Sequence, residues 1–364
     1  MKAIKKSGCV NRTARKSSTR RMMYGSLWIL IGFLFTFTAR SEESRLRILT
    51  WPGYADEDVV RDFSRLYNAK VSVTYVTSDD DLWSRLSAEH GSNFDVFAAN
   101  TAELQRYLAK DQVMPIDLSL VPNQKLQLPR FRVLLDAGPL VSGGKPFAIP
   151  FTYSEMGLIY NKDIVSPPPT SINALWDTAY RGKVLAFDAS NHNFSIAAQA
   201  LGFPNPFQMS NDELLKAAVK LIELRRNILT LYSDPDEALK LYKEGNIALI
   251  YANYGAQQVN KMKSAGLNIG YVVPVEGAFA WLDCWAISRG AKDKELAHAW
   301  LNYMLTPSVS HLLTERQGLA NTLTKPELQQ DTDKMVWLET LEDPEKRISL
   351  WERIRAGDAP ETFR

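Results

Sequence analysis

The hydrophobic patterning of the chain predicts an α/β fold. Three observations carry it. Short apolar or β-branched runs alternate with amphipathic helical segments from Leu46 onward, turn residues punctuate the switches, and 364 residues at 45% hydrophobic and 10% aromatic can bury large cores. Strand, helix and strand in repeated order specify a parallel sheet covered on both faces. A chain of this length forms one large or two medium domains.

The elements follow in order. Leu46 to Trp51 is a short apolar strand closed by the turn Pro52-Gly53. Asp56 begins a helix whose Val59, Phe63, Leu66 and Tyr67 recur at helical spacing. Val71 to Val76 is β-branched and alternates as a strand does. Ser78 and Asp81 stand at the N-cap and third position of a helix carrying Leu82, Trp83 and Leu86. Asp79-Asp80-Asp81 therefore reads as a helix start favoured by the macrodipole rather than as a calcium loop. Asn93 to Ala99 is the next strand and Ala102 to Lys110 the next helix.

A second compositional unit opens near Ile149-Pro150. Pro167-Pro168-Pro169 interrupts regular structure, Leu175 to Tyr180 forms one or two helical turns, and Arg181-Gly182 leads into strand Lys183 to Phe187. Asn211 to Arg226 is a periodic helix on Leu214, Leu215, Ala218, Leu221, Ile222 and Leu224. Segment Ala238 to Glu244, strand Ile247 to Ala252, helix Ala256 to Ala265 and amphipathic helix Glu295 to Leu305 complete the pattern, with no tandem repeat or long linker.

Residues 1 to 40 read as a targeting segment. Lys2, Lys5, Lys6, Arg12, Arg15, Lys16, Arg20 and Arg21 precede an uncharged apolar run from Met22 to Ala39, and no acid occurs among them. Export across a bacterial inner membrane to the periplasm is the expected route. Cleavage after Ala39 would leave Phe37 where a small residue is preferred, so a cleaved signal peptide and an uncleaved inner-membrane tether both stay open. Thr19-Arg20-Arg21 resembles a twin-arginine signal only weakly, because Met22-Met23 follows.

That segment holds nine of the 43 basic and none of the 41 acidic residues, leaving 34 basic against 41 acidic, a net charge of −7, in the remainder. An acidic body argues against nucleic acid and mildly favours cationic ligands. Cys9 lies in the targeting segment, so Cys284 stands alone in the remainder and stability must come from the core.

The run Phe279 to Ile287 is the most informative stretch. At period two it sets Phe279, Trp281, Asp283, Trp285 and Ile287 on one face, a carboxylate between two indoles. An ionised Asp in apolar company is desolvated unless a cation or hydrogen-bond donor reaches it. A bound amine satisfies it, and indole faces attract ammonium groups independently. A local backbone amide or an Arg satisfies it equally well.

The mature length resembles the periplasmic polyamine-binding proteins, the spermidine/putrescine-binding components of ABC importers. The resemblance lies in Ile48-Leu49-Thr50-Trp51-Pro52-Gly53-Tyr54, Asn93-Phe94-Asp95-Val96, Ile149-Pro150-Phe151 and Tyr160-Asn161-Lys162. It continues in Leu175-Trp176-Asp177, Tyr180-Arg181-Gly182-Lys183-Val184, Glu244-Gly245 and Trp281-Leu282-Asp283. Each is common alone; their order and spacing together are specific. The resemblance implies a two-lobed periplasmic binding fold of type II, each lobe a mainly parallel sheet flanked by helices, with a ligand cleft between lobes. It places lobe one at 43–151 plus 276–322 and lobe two at 152–275 plus 323–364. It further implies a monomer that closes on its ligand by hinge motion and is recognised by a membrane permease or a membrane sensor receptor.

By the same resemblance Trp51 and Tyr54 line a methylene chain, Tyr251 matches an aromatic of lobe two, and Trp281 with Asp283 grips an amine. Asn100-Thr101 falls where the family places small polar residues. The segment Asp188 to His192 departs from it, with Ala189 and His192 where spermidine binders carry two acids; Asp188 remains next door and faces away by strand alternation. Glu155 stands where the family has small residues and is expected to restore a carboxylate at the hinge. The ligand-binding set is thus Trp51, Tyr54, Thr101, Glu155, Asp188, His192, Tyr251, Trp281 and Asp283. The ligand is a diamine or triamine such as putrescine, norspermidine or spermidine.

Other readings stand beside these. Trp51, Tyr54 and Tyr251 also suit core packing at strand ends. His192 reads as a polar neighbour of the cleft rather than a metal ligand, since no second His or Cys stands at ligand spacing, and His90, His298 and His311 read as solvated. No phosphate loop, zinc motif, or Ser or Cys with a base in a recognisable motif supports an enzyme, and nothing selects a glycosidase pair of acids. No cofactor is implied. The two functions left are delivery of an amine to an importer and sensing of an amine for a membrane receptor.

Overall fold

The computed structural model describes residues 44–325 and 334–363, without the side chains of residues 89 and 90. The targeting segment and the side chain of His90 lie outside the described residues. Strand β1 (Ser44–Thr50), helix α1 (Glu57–Tyr67), β2 (Ala69–Tyr75), α2 (Asp79–Ser87), β3 (Val96–Asn100) and α3 (Thr101–Ala109) follow the expected alternation. Local chemistry fixes their ends: the Ser78 side chain accepts from the Asp81 amide at the start of α2, and Asn68 closes α1 in the left-handed conformation.

A one-turn helix α4 (Pro129–Arg132) and a small hairpin, β4 (Val141–Ser142) with β5 (Lys145–Pro146), precede the long strand β6 (Ala148–Met156). Then come β7 (Leu158–Asn161), β8 (Val184–Phe187), α5 (Ser190–Ala200), α6 (Asn211–Arg225), β9 (Ile228–Tyr232) and α7 (Pro235–Glu244). The remainder is β10 (Leu249–Tyr251), α8 (Ala256–Ser264), β11 (Ile269–Val272), β12 (Ala278–Ile287), α9 (Lys294–Met304), α10 (Pro307–Gln317), β13 (Ala320–Asn321), β14 (Met335–Trp337) and α11 (Pro344–Ala356).

Two sheets organise these elements into two lobes. The first runs β13-β6-β12-β3-β1-β2, with β14 paired to β12; the second runs β11-β7-β10-β8-β9. Strands β1, β2 and β3 pair in parallel, as do β8, β9 and β10. Both sheets are nevertheless mixed, because β6 and β12 run antiparallel in the first and β7 and β11 in the second. Those four strands carry the chain from one lobe to the other and back. The outward crossing is at Gly157, where a Cβ would stand 2.5 Å from the Val272 carbonyl oxygen, so the two crossing segments touch backbone to backbone.

The second lobe holds a helix that the sequence pattern concealed. Residues 190–192 do not extend strand β8; they are the first turn of α5, whose residues Ser190 to Ala198 are all buried. A helix buried on every side shows no amphipathic period. Helix α11 covers it through Arg347, which is 0% exposed. The guanidinium donates to both Glu342 carboxylate oxygens, the Asn191 and Pro206 carbonyls and the Ser195 hydroxyl. All five donor positions of a planar fork are thereby used.

Arg347→Ala is expected to lower unfolding free energy by about 3 kcal/mol, the scale for removing one partner of a buried, hydrogen-bonded pair. Urea unfolding of both proteins measures it, and a change under about 1 kcal/mol would show that α11 is held by its apolar face alone.

Candidate ligand cleft

Strands β1, β2 and β3 end at the lobe junction, the place where open α/β sheets present ligand-binding loops. Trp51 and Tyr54 lie on the turn after β1, Asp79 opens α2 after β2, and Asn100 ends β3. With Trp281 and Asp283 of β12, and His192, Asn253 and Tyr254 from the second lobe, they line a cavity of about 30 Å³. That is room for a few waters at most in this closed arrangement.

Asp283 is 6% exposed and receives the Tyr54 hydroxyl at 2.7 Å. Loss of water pushes its carboxyl up to about 7; the Tyr54 hydrogen bond works against this, Asp79 adds to it, and His192 opposes it weakly. The indole N–H of Trp281 donates to the Asn253 carbonyl at 3.2 Å across the lobe junction, and that of Trp51 to the Ala98 carbonyl at 3.2 Å. Of the two indoles flanking Asp283 in sequence, only Trp281 reaches the cavity. Trp285 packs in the core against Phe151 and Trp300.

Three acids of the first lobe meet three consecutive residues of α5. Ser190 donates its hydroxyl to Asp80 at 2.8 Å, Asn191 its amide to Glu103 at 2.7 Å, and His192 Nε2 lies 3.4 Å from Asp79. The Ser190 amide also points at Asp80, which thus serves as the acidic partner of the α5 N-terminus from the opposite lobe. Burial raises the Asp80 carboxyl, and burial with the Asp79 charge raises that of Glu103. Arg106, stacked 3.7 Å over the Trp83 ring, approaches Glu103 at 3.9 Å and pairs with Glu345.

Of the nine residues expected from sequence, Trp51, Tyr54, His192, Trp281 and Asp283 come together around the cavity. Thr101, Glu155, Asp188 and Tyr251 are placed elsewhere. Thr101 opens α3, while its neighbour Asn100 lines the cavity, caps α3 and donates to Asp79 at 3.2 Å. Glu155 is buried on β6 at the crossing, near the Tyr271 hydroxyl, and burial raises its carboxyl. Asp188 points to α11, accepting from the Trp351 indole at 3.0 Å and pairing with Arg355 at 3.3 Å. Tyr251 is sealed inside the second sheet, and the turn after β10 presents Asn253 and Tyr254 instead.

Asp79, Asn253 and Tyr254 carried no signal strong enough to be chosen from sequence. A row of acids at a helix start just after a parallel strand was the clue to Asp79. His298, expected in solvent, is buried: its Nε2 accepts from the Asp117 amide at 3.0 Å and Nδ1 lies 2.6 Å from the Lys294 carbonyl. It ties α9 to the loop beneath it. His311 is exposed. Among the described residues no group of three or more His, Cys, Asp or Glu is placed to hold a metal, and no helix is long and apolar enough to cross a membrane.

Two α/β lobes joined by crossing strands, with an aromatic, carboxylate-bearing cavity at their junction, define a two-lobed binding protein. The family model described as bacterial extracellular solute-binding protein matches residues 58–336, and the chain belongs to that family, one of binding proteins and not of enzymes. It is similar to the putrescine-binding periplasmic protein PotF of Escherichia coli K12, 27% identical over 303 residues, covering 78% of this chain and 79% of the relative. The spermidine/putrescine-binding periplasmic protein of the same organism is 26% identical over 318 residues, covering 84% and 86%. Among solved structures, a putative spermidine/putrescine ABC transporter from Listeria monocytogenes superposes with a TM-score of 0.76 at 20% identity over 88% of this chain and all of that one. MotA of A. tumefaciens B6 in complex with glucopine gives 0.66 at 17% identity, covering 88% and 98%. The fold is therefore shared by binders of different solutes.

A carboxylate whose folded pKa lies above its unfolded value favours folding at low pH, and this contribution is lost as pH rises through the folded value. For Asp283 the window runs from about 4 up to about 7. Asp283→Asn is accordingly expected to stabilise the ligand-free protein near pH 8, by up to about 4 kcal/mol, and to leave it nearly unchanged near pH 4. Thermal unfolding at the two pH values reads the difference; a variant less stable at both would mean that the charge is held by contacts worth more than its desolvation.

Proposed function

We propose that the protein captures an aliphatic amine of the polyamine class between its lobes and presents the closed form to the permease of an ABC importer. One observation carries this reading. Asp283 is buried in an aromatic cavity with, among the described residues, a single neutral donor, Tyr54, so its charge is left undersatisfied in the absence of a cation. An ammonium group supplies the missing charge, and the faces of Trp51, Trp281 and Tyr254 suit the cation and its methylene chain. The names of the two E. coli relatives support the same ligand class. The acidic body and basic apolar leader suit an exported, periplasmic protein that attracts cations.

Closure in this reading is a hinge motion about the crossing strands, which brings His192, Asn253 and Tyr254 onto the first lobe. The same closed surface would suit a membrane sensor receptor. Loss of amine uptake in a deletion strain supports the importer role; unchanged uptake with altered amine-dependent signalling would transfer the protein to the sensor role.

Isothermal calorimetry with putrescine, cadaverine, norspermidine and spermidine is expected to show binding of at least one. Asp283→Asn should weaken it by about ten- to a hundredfold, the scale of a charge-assisted hydrogen bond. No heat with any of the four would end the amine reading, and an unaltered affinity in the variant would return Asp283 to a purely structural role.

A further inference from the structure

Two carboxylates line the cavity, and they are not equivalent. Among the described residues Asp283 has the Tyr54 hydroxyl alone. Asp79 is engaged on both oxygens, by the Asn100 amide at 3.2 Å and by His192 Nε2 at 3.4 Å. The second ring nitrogen of His192, Nδ1, lies 2.6 Å from the Asn253 side-chain oxygen, another acceptor. An imidazole with an acceptor at each nitrogen makes both contacts only when it carries both protons. In that doubly protonated state the protein supplies its own cation to one of the two carboxylates facing the cavity.

We propose that His192 sets how many ammonium groups the cleft accepts, because its imidazolium holds Asp79 and leaves Asp283 as the single cavity carboxylate open to a ligand. The proposal rests on the amine reading above. A monoamine needs only Asp283. A second ammonium gains a carboxylate only by displacing His192 from Asp79; the imidazolium then loses its Nε2 proton to solvent and stays as the neutral ring on Asn253. Binding of a diamine is thus coupled to release of a proton that a monoamine does not displace.

The charged and titratable groups around the ring are Asp79 and Asp80 from α2, Glu103 and Arg106 from α3, and Asp283 from β12, with the hydroxyls of Tyr54 and Tyr254. Burial alone would lower the pKa of His192, but Asp79, Asn253 and Glu103 together raise it. Below that value the imidazolium occupies Asp79; as pH rises through it, Asp79 becomes free for a ligand. Asp283, at about 7, releases a proton to either kind of amine. Its contribution cancels when a diamine is compared with a monoamine of the same chain.

Calorimetry with n-butylamine and putrescine, from about pH 6 to about pH 8.5 in buffers of unlike ionisation heat, tests this on the full-length protein and on His192→Gln. In the unaltered protein the preference for putrescine over butylamine should rise about tenfold or more across the range. Near neutral pH, putrescine should release up to about one proton more than butylamine. In His192→Gln the preference should already be high at the acid end and flat with pH, without the extra proton. A flat preference in the unaltered protein, or an unchanged slope in the variant, overturns the role of His192 while leaving amine binding intact. Silence with both amines in both proteins overturns the amine reading and the filter with it. The pH series on the unaltered protein decides the matter even where the variant fails to fold.

Discussion

The removal of four carboxylates from water at the lobe junction is the constraint on which the rest of this structure depends. Asp79, Asp80, Glu103 and Asp283 all lie where the first lobe meets the second, and burial opposes the charge of Asp80, Glu103 and Asp283. A closed cleft is stable only if partners arrive from the other side. They come from one place, the first turn of α5, where Ser190, Asn191 and His192 each meet a different acid. Asp283 is left with a tyrosine hydroxyl, a neutral donor, and that imbalance is the observation on which the proposed amine ligand rests.

Everything behind that turn serves to place it. Arg347 of α11 grips the Asn191 carbonyl and the Ser195 hydroxyl from the rear, so the C-terminal helix reaches the cleft through α5 without touching the cavity. On the other wall, Gly255 adopts φ +54°, and a Cβ there would stand 2.2 Å from the Ser154 hydroxyl oxygen and 2.5 Å from the Glu155 carbonyl. The Ser154 hydroxyl accepts from the Ala256 amide at 2.9 Å. The turn that presents Asn253 and Tyr254 is therefore seated directly on the crossing strand β6. The strand crossing and the cleft turn are thus packed directly on each other, through the Ser154 hydroxyl and the Glu155 carbonyl.

Much of this was legible in the chain. The strand and helix order of the first lobe, the start of α2 at Ser78 and the apolar run of β12 follow from spacing and capping chemistry, which are local. Trp281 and Asp283 stood out because an alternating apolar run set a carboxylate beside indoles, and Trp51 and Tyr54 were named through the family resemblance. His192 was singled out as a departure from the pattern of acids, and its partner Asp79 was passed over as a helix cap. Helix α5 was hidden because burial on all sides erases the period that marks a helix.

The sequence by itself determined the alternation of strands and helices, the hydrophobic cores and the presence of a carboxylate among aromatics, since each depends on residues a few positions apart. Only the tertiary structure decided which acids meet which partners, across separations of 88 residues for Glu103 with Asn191 and 229 for Tyr54 with Asp283. It also turned Asp188 and Tyr251 away from the cavity and turned Asn253 and Tyr254 toward it. The charge state of a buried group is set by the whole shell around it, and that shell is assembled only where two lobes, built from interleaved stretches of chain, meet.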